Sequence, residues 1–220
     1  MNIPQATSKS EEKTYVEMCE IFSSIQGETS FAGRPAVFVR FSGCNLDCIW
    51  CDTSYALKKG IKKDVSLLAE EVFGFNIPLV VITGGEPLLQ SGSMELSGLL
   101  LDMGKEVIIE TNGSVDIGPV PSGVRIIMDF KTPSSGQKDK MEKENLKKLQ
   151  EKDELKFVIA DRADFEWARD IMRKHSPRAG EVLLSPASGS IDFTRLCGWA
   201  AESLPGSRVQ ANLHKVFGLR

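Results

Sequence analysis

Three cysteines stand within eight residues, in the run Cys44-Asn45-Leu46-Asp47-Cys48-Ile49-Trp50-Cys51. Three thiolates on one tight C-x3-C-x2-C loop suit a [4Fe–4S] cluster with one iron left open, and an open iron can hold a molecule that reacts. Structural zinc and a disulfide are the rivals. Zinc usually takes four protein ligands, commonly from paired Cys or His positions. No fourth Cys or His lies near this loop, since Cys19, Cys197, His175 and His214 are all distant in sequence. A redox loop without metal stays open as a third reading. Trp50, next to the third cysteine, is placed to shield a cluster.

A second run, Thr83-Gly84-Gly85-Glu86-Pro87, follows the apolar segment ending at Ile82. Two glycines allow close backbone approach to a ligand, and Glu86 can accept from an ammonium group. An ordinary Gly-Pro turn is the plain alternative. Glu110-Thr111-Asn112-Gly113 is equally a ligand edge or a turn. Asp129-Phe130-Lys131-Thr132 ends another apolar run and can bind a ribose or carboxylate, or simply face water.

The elements that must carry these runs follow from pattern. Ala36–Phe41, Leu79–Thr83, Val107–Thr111, Arg125–Phe130, Leu155–Ala160 and Glu181–Ser185 read as strands buried on both faces, as in a parallel sheet. The predicted helices are Val65–Phe73, Met94–Met103, Met141–Gln150, Ala163–Lys174 and Asp192–Ala201. A last strand is expected within Arg208–Val216. Alternating strand and helix implies an α/β fold with a mostly parallel sheet. A closed eight-unit barrel typically needs about 250 residues, so 220 residues fit a partial, splayed (β/α)6-type barrel better. Sites in such sheets collect at the C-terminal ends of strands, where all these runs fall.

Composition limits the rest. The chain is 41% hydrophobic and 26% charged, with a net charge of -3, which is ordinary for a globular enzyme and argues against a nucleic-acid partner. No apolar run approaches the roughly 18–20 residues of a membrane span. Residues 1–13 read as a polar flexible tail and 14–220 as one domain. Five cysteines with three clustered suit a reducing cytoplasm. The mixed-charge run Lys138 to Glu154 reads as a solvated helix face rather than a docking surface.

The cysteine spacing resembles the signature of the radical S-adenosylmethionine (SAM) superfamily, and TGGEP resembles its GGEP motif. That resemblance implies a partial-barrel core, SAM held on the open iron, reductive cleavage of SAM, and a 5′-deoxyadenosyl radical that takes a substrate hydrogen. It assigns Gly85 and Glu86 to SAM. A longer set of residues, Glu20 to Thr29, Gly33-Arg34-Pro35, Phe38 to Leu46, Cys51-Asp52-Thr53 and Leu213-His214-Lys215, resembles the 7-carboxy-7-deazaguanine synthase family. The implied reaction is ring contraction of 6-carboxy-5,6,7,8-tetrahydropterin with loss of ammonia, on the route to queuosine. The implied substrate contacts are Ile25, Gln26, Gly27, Arg40, Thr83 and His214. The implied SAM contacts are Trp50, Cys51, Asp52, Gly85, Glu86, Asp129, Phe130 and Lys131, and Thr53 would offer oxygen to Mg2+. Glu28 is a general-base candidate or a turn residue. Asp129-Phe130-Lys131 departs from the Ser-Pro-Lys of many relatives, which leaves Asp129 less defined than Lys131. A flavodoxin-type reductase and a homodimer are further implications. A glycyl-radical activase, or a non-catalytic iron–sulfur or zinc protein, is the alternative reading.

Overall fold

The computed structural model describes residues 13–218; the flexible tail expected for residues 1–13 lies almost wholly outside them. A nine-stranded sheet dominates, in the order β3-β1-β2-β4-β5-β6-β7-β8-β9. Its strands are β1 (Tyr15–Ile25), β2 (Pro35–Phe41), β3 (Ile61–Asp64), β4 (Leu79–Gly84), β5 (Glu106–Thr111), β6 (Arg125–Asp129), β7 (Glu154–Ile159), β8 (Glu181–Pro186) and β9 (Arg208–Val209). From β2 to β9 every neighbouring pair is parallel, whereas β1 lies antiparallel to both β2 and β3. The sheet is open, so the splayed α/β barrel predicted from the pattern is the fold observed.

The helices are α1 (Val65–Gly74), α2 (Gly92–Asp102), α3 (Asn145–Lys148), α4 (Arg162–His175), α5 (Phe193–Ser203) and α6 (Leu213–Phe217). Three begin on an aspartate whose carboxylate accepts backbone N–H groups of the first turn: Asp64 from Ser66, Asp161 from Asp164 and Asp192 from Thr194. These caps satisfy donors that a helix start otherwise leaves open.

The two faces of the sheet diverge because side chains alternate along a strand. Val39 and Phe41 of β2, Ile82 of β4, Ile109 of β5, Met128 of β6 and Phe157 of β7 point toward the helices and join Leu68, Leu96, Leu100 and Phe165 in the main core. The intervening residues Phe38, Val81, Ile108 and Ile127, with Phe22 and Phe31, form a smaller apolar layer on the other face. Phe22 and Phe38 stack with ring centres 5.2 Å apart.

Two expected elements change. The helix expected over Met141–Gln150 shrinks to Asn145–Lys148. Asn145 is fully buried and donates to the carbonyls of Gly113 and Val115 while accepting from Ile117. That clamp onto a neighbouring loop diverts the backbone into turns. The last strand stops at Val209, and the rest of the expected segment turns into α6. Strands β1 and β3 were not expected.

Candidate active site

The C-terminal ends of the parallel strands open into a cleft of about 560 Å³. Cys44, Cys48 and Cys51 line it together with Gln26, Glu28, Arg40, Thr53, Thr83, Gly85, Glu110, Asp129, Lys131, Lys156 and His214. Residues from seven stretches of chain therefore converge on one space of ordinary ligand size.

The cysteine loop hangs between β2 and β4. Gly85 N–H donates to Phe41 O at 3.0 Å and Glu86 N–H to Gly43 O at 2.8 Å. A side chain at Gly85 would place its Cβ 1.8 Å from Gly43 O, and one at Gly84, with φ of 134°, would sit 2.2 Å from Phe41 O. The two glycines are thus required by the protein's own backbone, which they let into contact with the start of the cluster loop. All three thiols are free of disulfides, and Cys51 is exposed. Among the described residues no three His, Cys, Asp or Glu side chains converge as ligands of a single ion. Asn112 Nδ2 reaches Cys44 Sγ at 3.5 Å, an N–H to sulfur contact of the kind that tunes thiolate-bound iron. Burial is the main cause that pushes the Cys48 thiol upward, opposed by Lys131.

Glu86 differs from expectation. It is completely buried. One carboxylate oxygen accepts from Leu88 N–H and Thr111 Oγ1, and the other from Asn112 N–H at 2.6 Å. With both oxygens engaged inside the protein, it ties the TGGEP turn to the ETNG turn and offers no acceptor to SAM. Phe130 differs too. Its ring packs between Phe157 and Trp167 on the helix side of the sheet, at 0% exposure, because it alternates away from its neighbours Asp129 and Lys131.

Those two neighbours face the cleft. Lys131 Nζ lies 3.0 Å from Asp129 Oδ2. Burial alone would lower the Lys131 pKa, but Asp129 and Cys48 outweigh it and the ammonium is favoured. Asp129 Oδ1 and Trp50 Nε1 are buried without hydrogen-bond partners. An orphan acceptor and an orphan donor beside the cysteine loop fit a cleft that takes a polar cofactor, because buried polar groups are otherwise paired. Asp52 pairs with Lys215 of α6 at 2.9 Å. Burial works to raise its carboxyl, but the Lys215 ammonium holds it below the usual carboxylate range. Thr53 Oγ1 lies 3.8 Å from Cys51 Sγ and lines the cleft.

On the opposite wall, β1 ends at Ile25 and delivers Gln26 and Gly27. Gln26 Nε2 donates to Glu110 Oε1 at 3.0 Å, and Thr83 Oγ1 donates to Glu110 Oε2 at 2.9 Å. Burial, then the nearby charge of Glu28, raises the Glu110 carboxyl above the usual range. Arg40 Nε meets Glu20 Oε1 at 3.0 Å, and its guanidinium lies 5.9 Å from the ring centres of Phe22 and Tyr55. His214 stands over Gly27, where any side chain would come within 2.5 Å of its Nδ1. Its Nε2 is 4.0 Å from Glu28 Oε1.

One cleft residue, Lys156, escaped the sequence reading, and another, Glu110, had no role of its own there. Glu110 enters that reading only within the run Glu110 to Gly113, which reads equally as a ligand edge or a turn. Lys156, inside the strand Leu155–Ala160, was passed over, although a charge within an otherwise apolar strand signals a polar cavity. Glu154, at the start of the same strand, lies behind the cleft lining, fully buried against Ser30, and was not singled out either.

The fold and the three-cysteine cleft together define a class. Residues 38–175 match the model of the Radical SAM superfamily, and the chain belongs to that superfamily. A [4Fe–4S] cluster and SAM are the cofactors that membership implies. Within the superfamily, proteins called 7-carboxy-7-deazaguanine synthase from Methanospirillum hungatei and Koribacter versatilis are each 38% identical to this chain. The first match covers 93% of this chain and 86% of the relative, the second 91% and 96%. The chain is a member of the 7-carboxy-7-deazaguanine synthase family. The crystal structure of QueE from Escherichia coli has the same fold, with a TM-score of 0.69 over 89% of this chain and 92% of that one, at 22% identity. Among the described residues no helix is long and apolar enough to cross a membrane.

Proposed function

We propose that this chain converts 6-carboxy-5,6,7,8-tetrahydropterin to 7-carboxy-7-deazaguanine with release of ammonia, as a radical SAM lyase of queuosine and other 7-deazapurine biosynthesis. The observation that carries this reading is the convergence in one cleft of the cysteine loop with Gln26, Arg40, Thr83 and His214, drawn from the termini of different strands and from α6. Cys44, Cys48 and Cys51 would hold the cluster, with Trp50, Asp52, Gly85, Asp129 and Lys131 around SAM. When bound, the cluster and SAM supply a radical able to abstract hydrogen from carbon.

The chain's own residues then bind and orient. Phe22 and Phe38 form an apolar floor on which a flat bicyclic ring can lie. Glu110, fixed by Gln26 and Thr83, offers a carboxyl group to the amino-pyrimidinone edge of a pterin. Arg40 and His214 present cationic or donor groups suited to a carboxylate. Thr53 would give its hydroxyl to Mg2+, which typically keeps several waters and needs few protein ligands. Glu28, in the loop after β1 and lining the cleft, is the acid–base candidate. The five free cysteines support a reducing cytoplasm. A flavodoxin-type reductase as electron donor, a homodimer and a single domain over residues 14–220 complete the reading.

One anaerobic assay tests it. Reconstituted protein with SAM, dithionite, Mg2+ and carboxytetrahydropterin should form the deazaguanine. SAM cleavage without that product would sink the substrate assignment.

A further inference from the structure

Lys156 has no role in the account above, yet among the described residues it is one of the most enclosed cations. It sits on β7, in register with Asp129 of β6 and Leu183 of β8. Its ammonium pairs with Glu28, and each side chain is only 13% exposed. Burial opposes its charge, but Glu28, Asp129 and Glu110 outweigh burial and hold the ammonium well above its ordinary pKa. A lysine this enclosed is rare without a partner, so the pair with Glu28 demands an explanation.

The surroundings supply one. Two residues before Lys156 on the same strand, the buried Glu154 accepts from Ser30 N–H at 3.2 Å and from the Ser30 hydroxyl. Residues 154 and 156 point to one face of β7, and they grip residues 28 and 30 of the loop after β1. Between the gripped residues, Thr29 has φ of 69°, a left-handed conformation that a β-branched residue rarely adopts. Thr29 is itself held, its N–H donating to Gln210 Oε1 at 2.8 Å, while Gln210 Nε2 donates to Ser185 at 3.1 Å. A strained turn fixed at three consecutive residues is built to present something at a set place, and what it presents to the cleft is Glu28.

Resting on the function proposed above, we infer that Lys156 is a positioning residue for the pterin substrate: it fixes the Glu28 carboxylate, and with it the Gln26–Ser30 loop, so that Glu28 meets the ring N–H groups as a preset acceptor. Lys156 acts through Glu28 and does not touch the reacting atoms. The groups around the pair are Glu110, Asp129, Lys131 and His214.

The test uses 6-carboxypterin, a stable aromatic analogue, titrated into the anaerobic holoenzyme by calorimetry, with product and 5′-deoxyadenosine counted in parallel. Lys156→Met should weaken analogue binding at least tenfold and raise the ratio of 5′-deoxyadenosine to deazaguanine, with Lys156→Arg recovering part of both. Glu28→Gln should weaken binding comparably, and the double variant should bind no worse than the weaker single variant. Should Lys156→Met fail to fold because Glu28 is left charged and alone, Glu28→Gln is compared with Glu28→Gln/Lys156→Met, where no charge is stranded; equal affinities are expected. Wild-type affinity in Lys156→Met, or a double variant whose losses multiply, overturns the inference. A wild-type protein that neither binds the analogue nor forms deazaguanine overturns the proposed function instead.

Discussion

The two faces of one sheet make opposite use of the same strands. On the helix side, Phe41, Ile82, Ile109, Met128 and Phe157 follow one another from strand to strand, all fully buried. On the concave side the deeper layer is also apolar, with Phe38, Val81, Ile108 and Ile127. Two residues further along, the same face carries Arg40, Thr83, Glu110 and Asp129. A step of two residues is the strand's own repeat, so floor and site are successive turns of a single pattern. A sheet buried on both faces favours near-continuous apolar runs, and the polar breaks in those runs mark the cleft.

That contrast can be broken experimentally. The largest effect is expected at the cluster loop. Cys48→Ala should lose the iron–sulfur absorbance and all detectable product while keeping a native far-UV circular dichroism spectrum. A collapse of that spectrum would show that the concave side also carries the fold. The reverse pattern is expected on the helix side. Phe157→Ala removes a ring packed against Phe130 and Trp167 and should cost about 3–5 kcal/mol in urea unfolding, with kcat reduced only through the loss of folded protein.

Glu110→Gln separates the two properties within one residue. Product formation should fall at least tenfold, yet the apo-protein should melt higher at pH 8 than wild type. The sign follows from the raised carboxyl of Glu110, held up by burial and by Glu28. A folded-state pKa above the unfolded value means the protonated form favours the fold, so that stability is present below the ordinary carboxylate range and lost as pH rises through the raised value. The glutamine carries no such loss, and the difference should vanish as pH falls into the carboxylate range. Equal melting temperatures at pH 8 would contradict the burial argument. At the small end, Lys147→Ala breaks an ion pair with Glu144 in which both side chains are 63% exposed. Stability should shift by no more than about 0.5 kcal/mol, with activity unchanged.

Much of this was legible in the sequence. Six of the seven parallel strands, β2 and β4 to β8, announced themselves as apolar, β-branched runs, and four of the five predicted helices lie within a few residues of where they were expected. β1 did not, because Glu17, Glu20, Ser23 and Ser24 interrupt its apolar residues, and the pattern reads as loop. The site motifs were legible as positions, less so as directions. Glu86 belongs to the right turn, but its side chain folds inward to satisfy Leu88, Thr111 and Asn112. Phe130 lies between two cleft residues and alternates to the core. Lys156 is the instructive miss. Glu154-Leu155-Lys156-Phe157 alternates polar and apolar, which in a sheet covered by helices implies a polar hollow on the uncovered face.

Because Gly85 and Glu86 donate to Phe41 and Gly43, the cysteine loop is pinned only once β4 has paired with β2. That pairing spans the whole crossover containing the loop and α1, and contacts of such separation form late in folding. Maturation is then expected to run in one direction, with the chain folded and the thiols in place before iron and sulfide reach the loop, where Cys51 is exposed. Unlike small zinc domains, which need metal in order to fold, this protein would be a finished vessel waiting to be filled, and cooperative unfolding of the metal-free protein is the signature to look for.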